Sequence, residues 1–459
     1  MRPEWPAPRP WLAMGLAVWL AACDGRVGMH FATSTPREAY EARLRELGLH
    51  TTALGRDWAA AGEQALGAPV AVVLPHRELR YLDPRQAAAV AYRLSLERGQ
   101  RVAARIEVAD TQPSDLTFFL DLFFLPDSVT PPQPVASADS SAWEFEYVAM
   151  RPGDYVLRLQ PELLRGGRIT LTVSAHASLE FPVAGMDLGT LRSRFGAPRD
   201  AGRREHHGVD LFAPRGTAVL AAAAGWVSWV GTNRLGGNVV WLRDARYGRR
   251  LYYAHLDRHA VEEDRWVEPG DTLGFVGNTG NARTTRPHLH FGIYIRGEGP
   301  VDPYFHLLEP TGRLPLFAGD SSLVGGWGRV TSSGGRLRAR AEGSAPPIVA
   351  LPGDAPVQVL AGVGPWYLAR LPSGKEGYVS LREVRPLQPL YSAAVAAGSV
   401  LRSAPGTLGA ATESLARGEV VPVLGRYGNQ VLVRHPSGLL GWMGSESLVV
   451  SGGGVAGVQ

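Results

Sequence analysis

The segment PHLHFGI, residues Pro287–Ile293, places His288 and His290 one residue apart in an apolar run. Successive side chains of a β-strand point to opposite faces, so the two imidazoles are predicted to share one face of a strand. Seven of the twelve histidines of the chain lie between His206 and His306, about a fifth of its length. This clustering indicates a site at which histidine does chemistry.

Two further motifs in the same region carry metal-ligating side chains. HHGVD places His206 and Asp210 four residues apart, and YYAHL places His255 in an aromatic, strand-like run. Catalytic zinc sites use three such ligands and keep one position open, where a bound water reaches a pKa of about 7. Neighbouring imidazoles can move a proton or stabilise an oxyanion. Each motif alone is more common as a polar turn or a packing feature, but the three together favour a zinc site.

These motifs occur in a fixed order, from HHGVDLFAPRGTAV through GGNVVWL and YYAHL to VEPGDTLGFVGNTGNARTTRPHLHFGIY. In this order they resemble the lysostaphin/LytM-type zinc metallopeptidases, which cleave the peptides of peptidoglycan. The resemblance runs from about Met186 to Leu307 and implies a β-rich peptidase domain over residues 186–308 with Zn²⁺ as its cofactor.

The resemblance also implies roles for five side chains. His206, Asp210 and His290 are the expected zinc ligands, and His255 and His288 are the expected catalytic pair. Which member of that pair acts as the general base, and which stabilises the oxyanion, stays open in the sequence.

Other residues of the region are assigned less specific places. The resemblance puts His207 at a variable position and places four glycines in turns: Gly225, Gly274, Gly277 and Gly280. Arg286 stands where a glycine commonly precedes Pro-His, which bears on substrate preference at the groove edge.

Five more residues are interpreted from their local pattern. His259 and His306 match no motif and are predicted to be surface or packing residues. The strand-like run around Trp226 and Trp229 predicts core tryptophans, and alternation predicts that Tyr253 shares a face with His255 and lines the groove.

The whole chain has 459 residues, of which 45% are hydrophobic and 20% charged, with 55 glycines and 35 prolines. This length suggests several domains, and the Gly and Pro content favours many short strands and turns. The predicted fold class is therefore mainly β and multidomain. The net charge of +4 is small and gives no support to nucleic-acid binding.

The N-terminus is typical of an export signal. Arg2 and Arg9 precede an apolar stretch that is too short to span a bilayer, and Leu20-Ala21-Ala22-Cys23 resembles a bacterial lipobox. The resemblance implies a signal peptide over 1–22, lipidation of Cys23 and a membrane anchor facing the periplasm; an accidental cysteine is the alternative. Because Cys23 is the only cysteine, no internal disulfide can form.

Residues 23–79 are predicted to be an anchor and linker with short helices. Thr35-Pro36-Arg37-Glu38 reads as a capping box, and a second helix is expected from Leu54 to Leu66. From residue 80 to 180 short alternating runs predict a β-sandwich, which resembles bacterial pre-peptidase C-terminal domains. Residues 126–141 are predicted to be an exposed loop within it.

The C-terminal region contains an internal repeat. VQVLAGVGPWYLARLPSGKEGYVSLREV and VPVLGRYGNQVLVRHPSGLLGWMGSESLV align at an offset of 64 residues, with an aromatic after glycine at Tyr378 and Trp442. The repeat resembles bacterial SH3-like barrels over 325–387 and 390–450, with a generic small barrel as the alternative. Residues 451–459 are predicted to be disordered.

These expectations predict a zinc-dependent endopeptidase that hydrolyses peptide cross-links of peptidoglycan in the cell envelope. The alternatives are a non-catalytic LytM-like regulator of wall amidases and a wall-binding lipoprotein. Whether a regulatory partner protein controls access to the groove stays open in the sequence. The resemblance also implies that a segment of the chain can block the zinc, and the segments considered for this are residues 80–89 and 309–326.

Overall fold

The structure, a computed structural model, describes residues 34–108, 117–127, 129–139, 142–310, 312–406 and 409–450. The predicted signal peptide, Cys23 and the tail 451–459 lie outside these ranges, as does part of the loop predicted over 126–141. The described ranges contain 35 strands and three α-helices, which confirms the mainly β class. In these ranges no helix is both long and apolar enough to cross a membrane.

Two helices come first, α1 (Pro36–Glu46) and α2 (Ala53–Gly67). The predicted capping box starts α1: the Glu38 N–H donates to Thr35 Oγ1 at 3.2 Å, and the Thr35 N–H donates to Glu38 Oε2 at 2.7 Å. Trp58 of α2 is buried and its indole N–H donates to the carbonyl of Pro161 at 2.8 Å. The helices therefore pack on the strands that follow.

Nine strands form the next region. They are β1 (Val70–Ala71), β2 (His76–Leu82), β3 (Val90–Leu96), β4 (Arg101–Val108), β5 (Phe118–Leu125), β6 (Gln133–Ser137), β7 (Glu144–Val148), β8 (Gly153–Pro161) and β9 (Gly167–His176). One sheet has the order β1-β3-β8-β5-β6, and β2-β9-β4-β7 form one end of a second sheet. Apolar side chains from both sheets share one buried core, as in a β-sandwich.

Three of these strands differ from the prediction. β1 and the start of β2 lie inside the segment predicted to be linker, and β6 lies inside the predicted loop. β2 was missed because its buried face is polar: Glu78 accepts hydrogen bonds from Arg80 and, at 2.9 Å, from the Tyr92 hydroxyl. β6 was missed because it contains a proline, which an edge strand tolerates.

The central region contains twelve strands and one short helix. They are β10 (Leu191–Ser193), β11 (Pro198–Arg199), β12 (Arg204–Glu205), β13 (Val209–Phe212), β14 (Ala218–Leu220), β15 (Gly225–Asn233), β16 (Gly237–Asp244), β17 (Arg250–His259), β18 (Trp266–Val267), β19 (Thr272–Val276), β20 (His288–Ile295), β21 (Gly299–Val301) and α3 (Tyr304–Leu307). The main sheet has the order β10-β13-β20-β17-β16-β15-β18. Its inner face is apolar, with Leu211, Leu289 and Phe291 fully buried.

The internal repeat has a structural counterpart. The first copy has β22 (Trp327–Val330), β23 (Gly335–Arg338), β24 (Pro347–Leu351), β25 (Pro356–Val363), β26 (Trp366–Arg370), β27 (Glu376–Ser380) and β28 (Val384–Pro386). The second has β29 (Tyr391–Val395), β30 (Ser399–Arg402), β31 (Ala411–Leu415), β32 (Val420–Tyr427), β33 (Gln430–Arg434), β34 (Leu440–Gly444) and β35 (Leu448–Val450). Corresponding strands pair in the same way. In both copies an arginine at the end of the second strand donates a hydrogen bond to the loop that follows. Arg338 donates to the carbonyl of Ala345 at 2.7 Å, and Arg402 donates to the carbonyl of Gly409 at 2.9 Å.

Each of the two equivalent aromatic side chains, Tyr378 and Trp442, is covered by the part of the chain that precedes its copy: the sandwich covers Tyr378, and the first copy covers Trp442. Trp442 packs edge-on against Trp327 of the first copy, with ring centroids 5.9 Å apart. Tyr378 is buried within reach of the charges of Glu78 and Arg80 on β2. β2 also pairs with β25, so the sandwich sheet and the first copy form one eleven-stranded sheet.

His306 of α3 is a packing residue, as predicted. It is buried between Arg249, whose Nη1 donates to His306 Nδ1 at 2.9 Å, and a turn of the sandwich, where a Cβ on Gly99 would lie 2.5 Å from the imidazole ring. Burial first, and then the charges of Arg249 and Arg98, hold the pKa of His306 well below its ordinary value. The side chain is therefore neutral at neutral pH.

His306 should make stability depend on pH. Below pH 6.5 the unfolded chain binds a proton at this position that the folded chain cannot bind, so the free energy of unfolding falls as pH falls. The contribution is at most about 1.4 kcal/mol per pH unit. We expect His306→Gln to show a smaller shift of the urea midpoint between pH 6.5 and 5.0 than the wild-type protein. The exposed His50, changed to Gln, is the control, and an unchanged shift in His306→Gln would contradict the assignment.

Candidate metal centre

Three side chains bring their polar atoms to one point on the outer face of the central sheet. Asp210 on β13 lies directly opposite His290 on β20, and His206 precedes β13. His206 Nε2 lies 3.0 Å from Asp210 Oδ1 and 2.9 Å from His290 Nδ1, and His290 Nδ1 lies 3.1 Å from Asp210 Oδ1. These atoms form the one cluster of three potential metal ligands found in the described ranges.

The donor set fits zinc. Zinc bonds of about 2.0–2.1 Å in a tetrahedron place ligand atoms about 3.3 Å apart, close to the separations of these three atoms. Two imidazole nitrogens and one carboxylate oxygen are also ordinary zinc ligands. Residues His206, Asp210 and His290 could therefore hold the ion.

Hydrogen bonds behind the cluster orient two of its members. His206 Nδ1 lies 2.8 Å from the carbonyl of Arg194, which can only accept, so Nδ1 carries the proton and Nε2 is available to a metal. Arg199 Nη2 donates to Asp210 Oδ2 at 2.5 Å and to Ser193 Oγ at 2.7 Å. The carboxylate therefore turns Oδ1 toward the histidines.

The glycine of the HHGVD motif makes room for the third ligand. A Cβ on Gly208 would lie 2.4 Å from the carbonyl oxygen of Phe291 and 2.9 Å from His290 Nε2. Either contact would push β13 away from β20, so the close approach of these strands at the cluster requires glycine.

The electrostatics of the cluster keep its acid ionised. Burial would raise the pKa of Asp210, but hydrogen bonds and charges from His206 and His290 hold it far below its usual range. Burial lowers the pKa of His290. A charged carboxylate and a neutral imidazole are the protonation states that bind a metal.

The two predicted catalytic histidines flank the cluster. His288 shares its strand face with His290, as the sequence predicted, and its ring stacks on Phe212 with centroids 4.9 Å apart. His288 Nδ1 lies 2.8 Å from the carbonyl of Arg286, and His255 Nδ1 lies 2.9 Å from the carbonyl of Thr279. Both Nδ1 atoms therefore donate to backbone carbonyls, which leaves Nε2 of each ring facing the groove as the nitrogen that can accept a proton.

The distances bring this pair close to the cluster. The ring centroids of His255 and His288 are 5.0 Å apart, and His288 Nε2 lies 4.0 Å from Asp210 Oδ1. Burial, followed by the neighbouring His290 and His288, lowers the pKa of His255 to about 4. His255 is thus an uncharged proton acceptor at neutral pH.

His255 reaches the groove because of a bulge. The register of β17 against β16 shifts by one residue here, and His255 has φ 64°, a left-handed value that is rare outside glycine. The prediction for Tyr253 was therefore wrong: Tyr253 is fully buried in the core, and Tyr252 lines the groove in its place. Strained backbone of this kind clusters at functional sites.

The groove around the cluster has a volume of ≈ 640 Å³. Its aromatic wall consists of Trp241, Tyr252 and Tyr294, and its opposite wall includes Arg192 and Arg199. No described residue of 80–89 or of 309–326, the two segments considered as covers, lines the groove.

Of the remaining predictions for this region, some agree with the structure and others are wrong. His207 is exposed at the groove, while His259 and His306 are not among its lining residues. Trp226 is 53% exposed rather than in the core, because its side of β15 faces outward and packs on Trp266. Gly225 and Gly274 lie within strands rather than turns, whereas Gly277 and Gly280 lie between β19 and β20.

Sequence analysis missed Arg199, Ser193 and Tyr252. Tyr252 stands in the YYAHL motif, so the bulge alone hid it. Nothing in the spacing of Ser193 and Arg199 pointed to Asp210.

Known proteins are similar to the part of the chain that contains this cluster. Residues 204–303 match peptidase family M23. The chain is 39% identical over 127 residues to an L-Ala--D-Glu endopeptidase of Bacillus subtilis, covering 25% of this chain and 39% of that protein.

Two further proteins are similar to the same region. Peptidoglycan DD-endopeptidase ShyC of Vibrio cholerae is 38% identical over 95 residues, which is 20% of this chain and 21% of that protein. The catalytic domain of lysostaphin from Staphylococcus simulans is 30% identical, with 26% of this chain and 90% of that structure covered and a TM-score of 0.24. The chain thus spans well under half the length of the two curated relatives.

Proposed function

We propose that the domain over residues 186–308 is an M23-type, zinc-dependent endopeptidase that hydrolyses peptide cross-links of peptidoglycan. The observation that carries the proposal is the convergence of His206, Asp210 and His290 beside two imidazoles with acceptor nitrogens in the same groove. The names of the similar endopeptidases support the substrate class.

Zinc held by the three ligands would supply a polarised water and a Lewis acid at the scissile carbonyl. The chain's own residues supply the proton chemistry. Nε2 of His255 or His288 accepts a proton from the attacking water, since both Nδ1 protons are held by backbone carbonyls. The other imidazole stabilises the developing oxyanion when its Nε2 also carries a proton and donates it as a hydrogen bond, and the protonated base returns its proton to the leaving amine.

The presence of all five side chains favours an enzyme over the non-catalytic regulator. A regulator has no need of two oriented proton acceptors beside a complete ligand set.

The Tyr252 and Trp241 rings, whose centroids are 4.5 Å apart, extend the groove away from His290 and offer an apolar surface to the substrate.

We also propose a lipid anchor at Cys23 that places the protein at the membrane, facing the periplasm. The motif Leu20–Cys23 and the preceding apolar stretch support it. The SH3-like assignment of the two copies rests on their repeated strand order, and a wall-binding role for them or for the sandwich is part of the same proposal.

The proposed activity is tested with isolated peptidoglycan and the purified chain from Gly25 onward. We expect release of soluble muropeptides, loss of release with a chelator, and recovery when zinc is added back. Mass analysis of the products identifies the bond cleaved. If no muropeptide appears at any zinc concentration, the protein is not a peptidoglycan hydrolase.

A further inference from the structure

The two oxygens of Asp210 have different partners. Oδ1 lies within 3.1 Å of His206 Nε2 and His290 Nδ1, whereas Oδ2 accepts a hydrogen bond from Arg199 Nη2 at 2.5 Å. The carboxylate is buried. Its orientation is therefore set by one arginine that is not itself among the potential metal ligands.

Arg199 is held in place by the same hairpin that delivers His206. β11 and β12 pair, and the hairpin is closed by two backbone hydrogen bonds, from the Gly196 N–H to the His206 carbonyl at 2.8 Å and from the His206 N–H to the Ala197 carbonyl at 3.0 Å. A movement of the hairpin would therefore displace both the ligand His206 and Arg199, the hydrogen-bonding partner of the ligand Asp210.

Ser193 ties this arrangement to the sheet. It lies opposite Asp210 in the pairing of β10 with β13, its hydroxyl accepts from Arg199 Nη2 at 2.7 Å, and it lies 3.3 Å from His206 Nδ1. One guanidinium nitrogen therefore connects β10, the hairpin and the carboxylate on β13.

Two effects of Arg199 on a metal oppose each other. Its positive charge repels a cation, but the guanidinium side chain is 32% exposed and solvent screens that repulsion. The hydrogen bond to Oδ2, in contrast, acts directly on the carboxylate. It occupies Oδ2, so Asp210 can bind a metal through Oδ1 but not through both oxygens at once. We expect orientation to outweigh repulsion.

We propose that Arg199 is a positioning residue that holds Asp210 as a ligand through Oδ1 alone. The inference rests on the proposed zinc site. Without Arg199 the carboxylate can rotate and present both oxygens, which weakens the preference of the site for a four-coordinate ion.

The test compares metal binding of three full-length variants with the wild-type protein. Arg199→Met removes the donor but keeps most of the apolar stem, Arg199→Lys keeps the charge and one donor, and Arg192→Met is the control. Arg192 also lines the groove, but among the described residues its hydrogen bonds go to the carbonyls of Gly189 and Leu191 and not to Asp210. Circular dichroism of each metal-free protein checks that it is folded.

Zinc affinity is measured by competition with a chromophoric chelator. Loss of a hydrogen-bonding partner behind a metal ligand typically weakens binding about 10–100-fold, which is the loss expected for Arg199→Met. Arg199→Lys should lose less, and Arg192→Met should bind as the wild-type protein does. With Co²⁺ in place of zinc, Arg199→Met should show weaker visible absorption, because a second carboxylate oxygen raises the coordination number.

The outcomes separate this inference from the proposed function. If the wild-type protein binds zinc and Arg199→Met binds it equally well or more tightly, the positioning role is overturned. If Arg199→Met does not fold, Arg199→Lys decides: unchanged affinity and an unchanged cobalt spectrum would also count against the role. A wild-type protein that binds no zinc would overturn the metal site itself.

Discussion

Replacing His290 by alanine is expected to abolish both zinc binding and peptide hydrolysis. His290 Nδ1 contributes one of three donor atoms that lie about 3 Å apart, and two ligands alone hold zinc poorly. The loss of zinc affinity should exceed the roughly 10–100-fold cost of removing a residue behind a ligand. Metal analysis after dialysis and release of muropeptides measure the two effects.

His259→Ala is the matched control for this variant. His259 lies on β17 in the same domain but is not among the lining residues of the groove. It should keep zinc and activity. A His290→Ala protein that still carries one zinc per chain would show that the ligand set is different.

Alanine at His288 or at His255 is expected to lower hydrolysis while leaving zinc bound. Each variant removes an imidazole that moves a proton or stabilises charge, effects worth about 10²–10⁴-fold in rate. Neither removes an atom of the three-donor cluster. The measurements are zinc content and the rate of muropeptide release in the same preparation.

These two variants also test the division of roles on β20. If His288→Ala lost zinc while His290→Ala kept it, the two histidines would have exchanged roles. Whichever of His255→Ala and His288→Ala keeps measurable activity is then used for a pH–rate profile. The pKa of the removed imidazole is missing from that profile, so the remaining pKa belongs to the imidazole that is still present.

The sequence predicted which side chains meet at the cluster better than it predicted their surroundings. His206, Asp210 and His290 come together because β13 pairs with β20, and the shared face of His288 and His290 follows from strand alternation alone. The same rule failed for Tyr253, where one extra residue in β17 reversed the faces.

The other misses have a common physical cause. Hydrophobic periodicity identifies strands whose buried face is apolar, so β2, with Glu78 buried, was hidden from it. Arg199 reaches Asp210 through a turn whose shape depends on left-handed backbone at Ala201 and Gly202, and residue spacing does not reveal such a shape. The repeat was visible because 64 residues separate equivalent positions throughout both copies.

The pairing of β2 with β25 has a consequence for the order of folding. Its partners Leu79 and Gly362 are almost 300 residues apart in the chain, and contacts of such separation form late and slowly. The outer edge of β2 therefore stays unpaired until about four-fifths of the chain has emerged. Until then its charged inner face has no Tyr378 to cover it, so the final packing of this side of the sandwich has to wait for the first repeat copy.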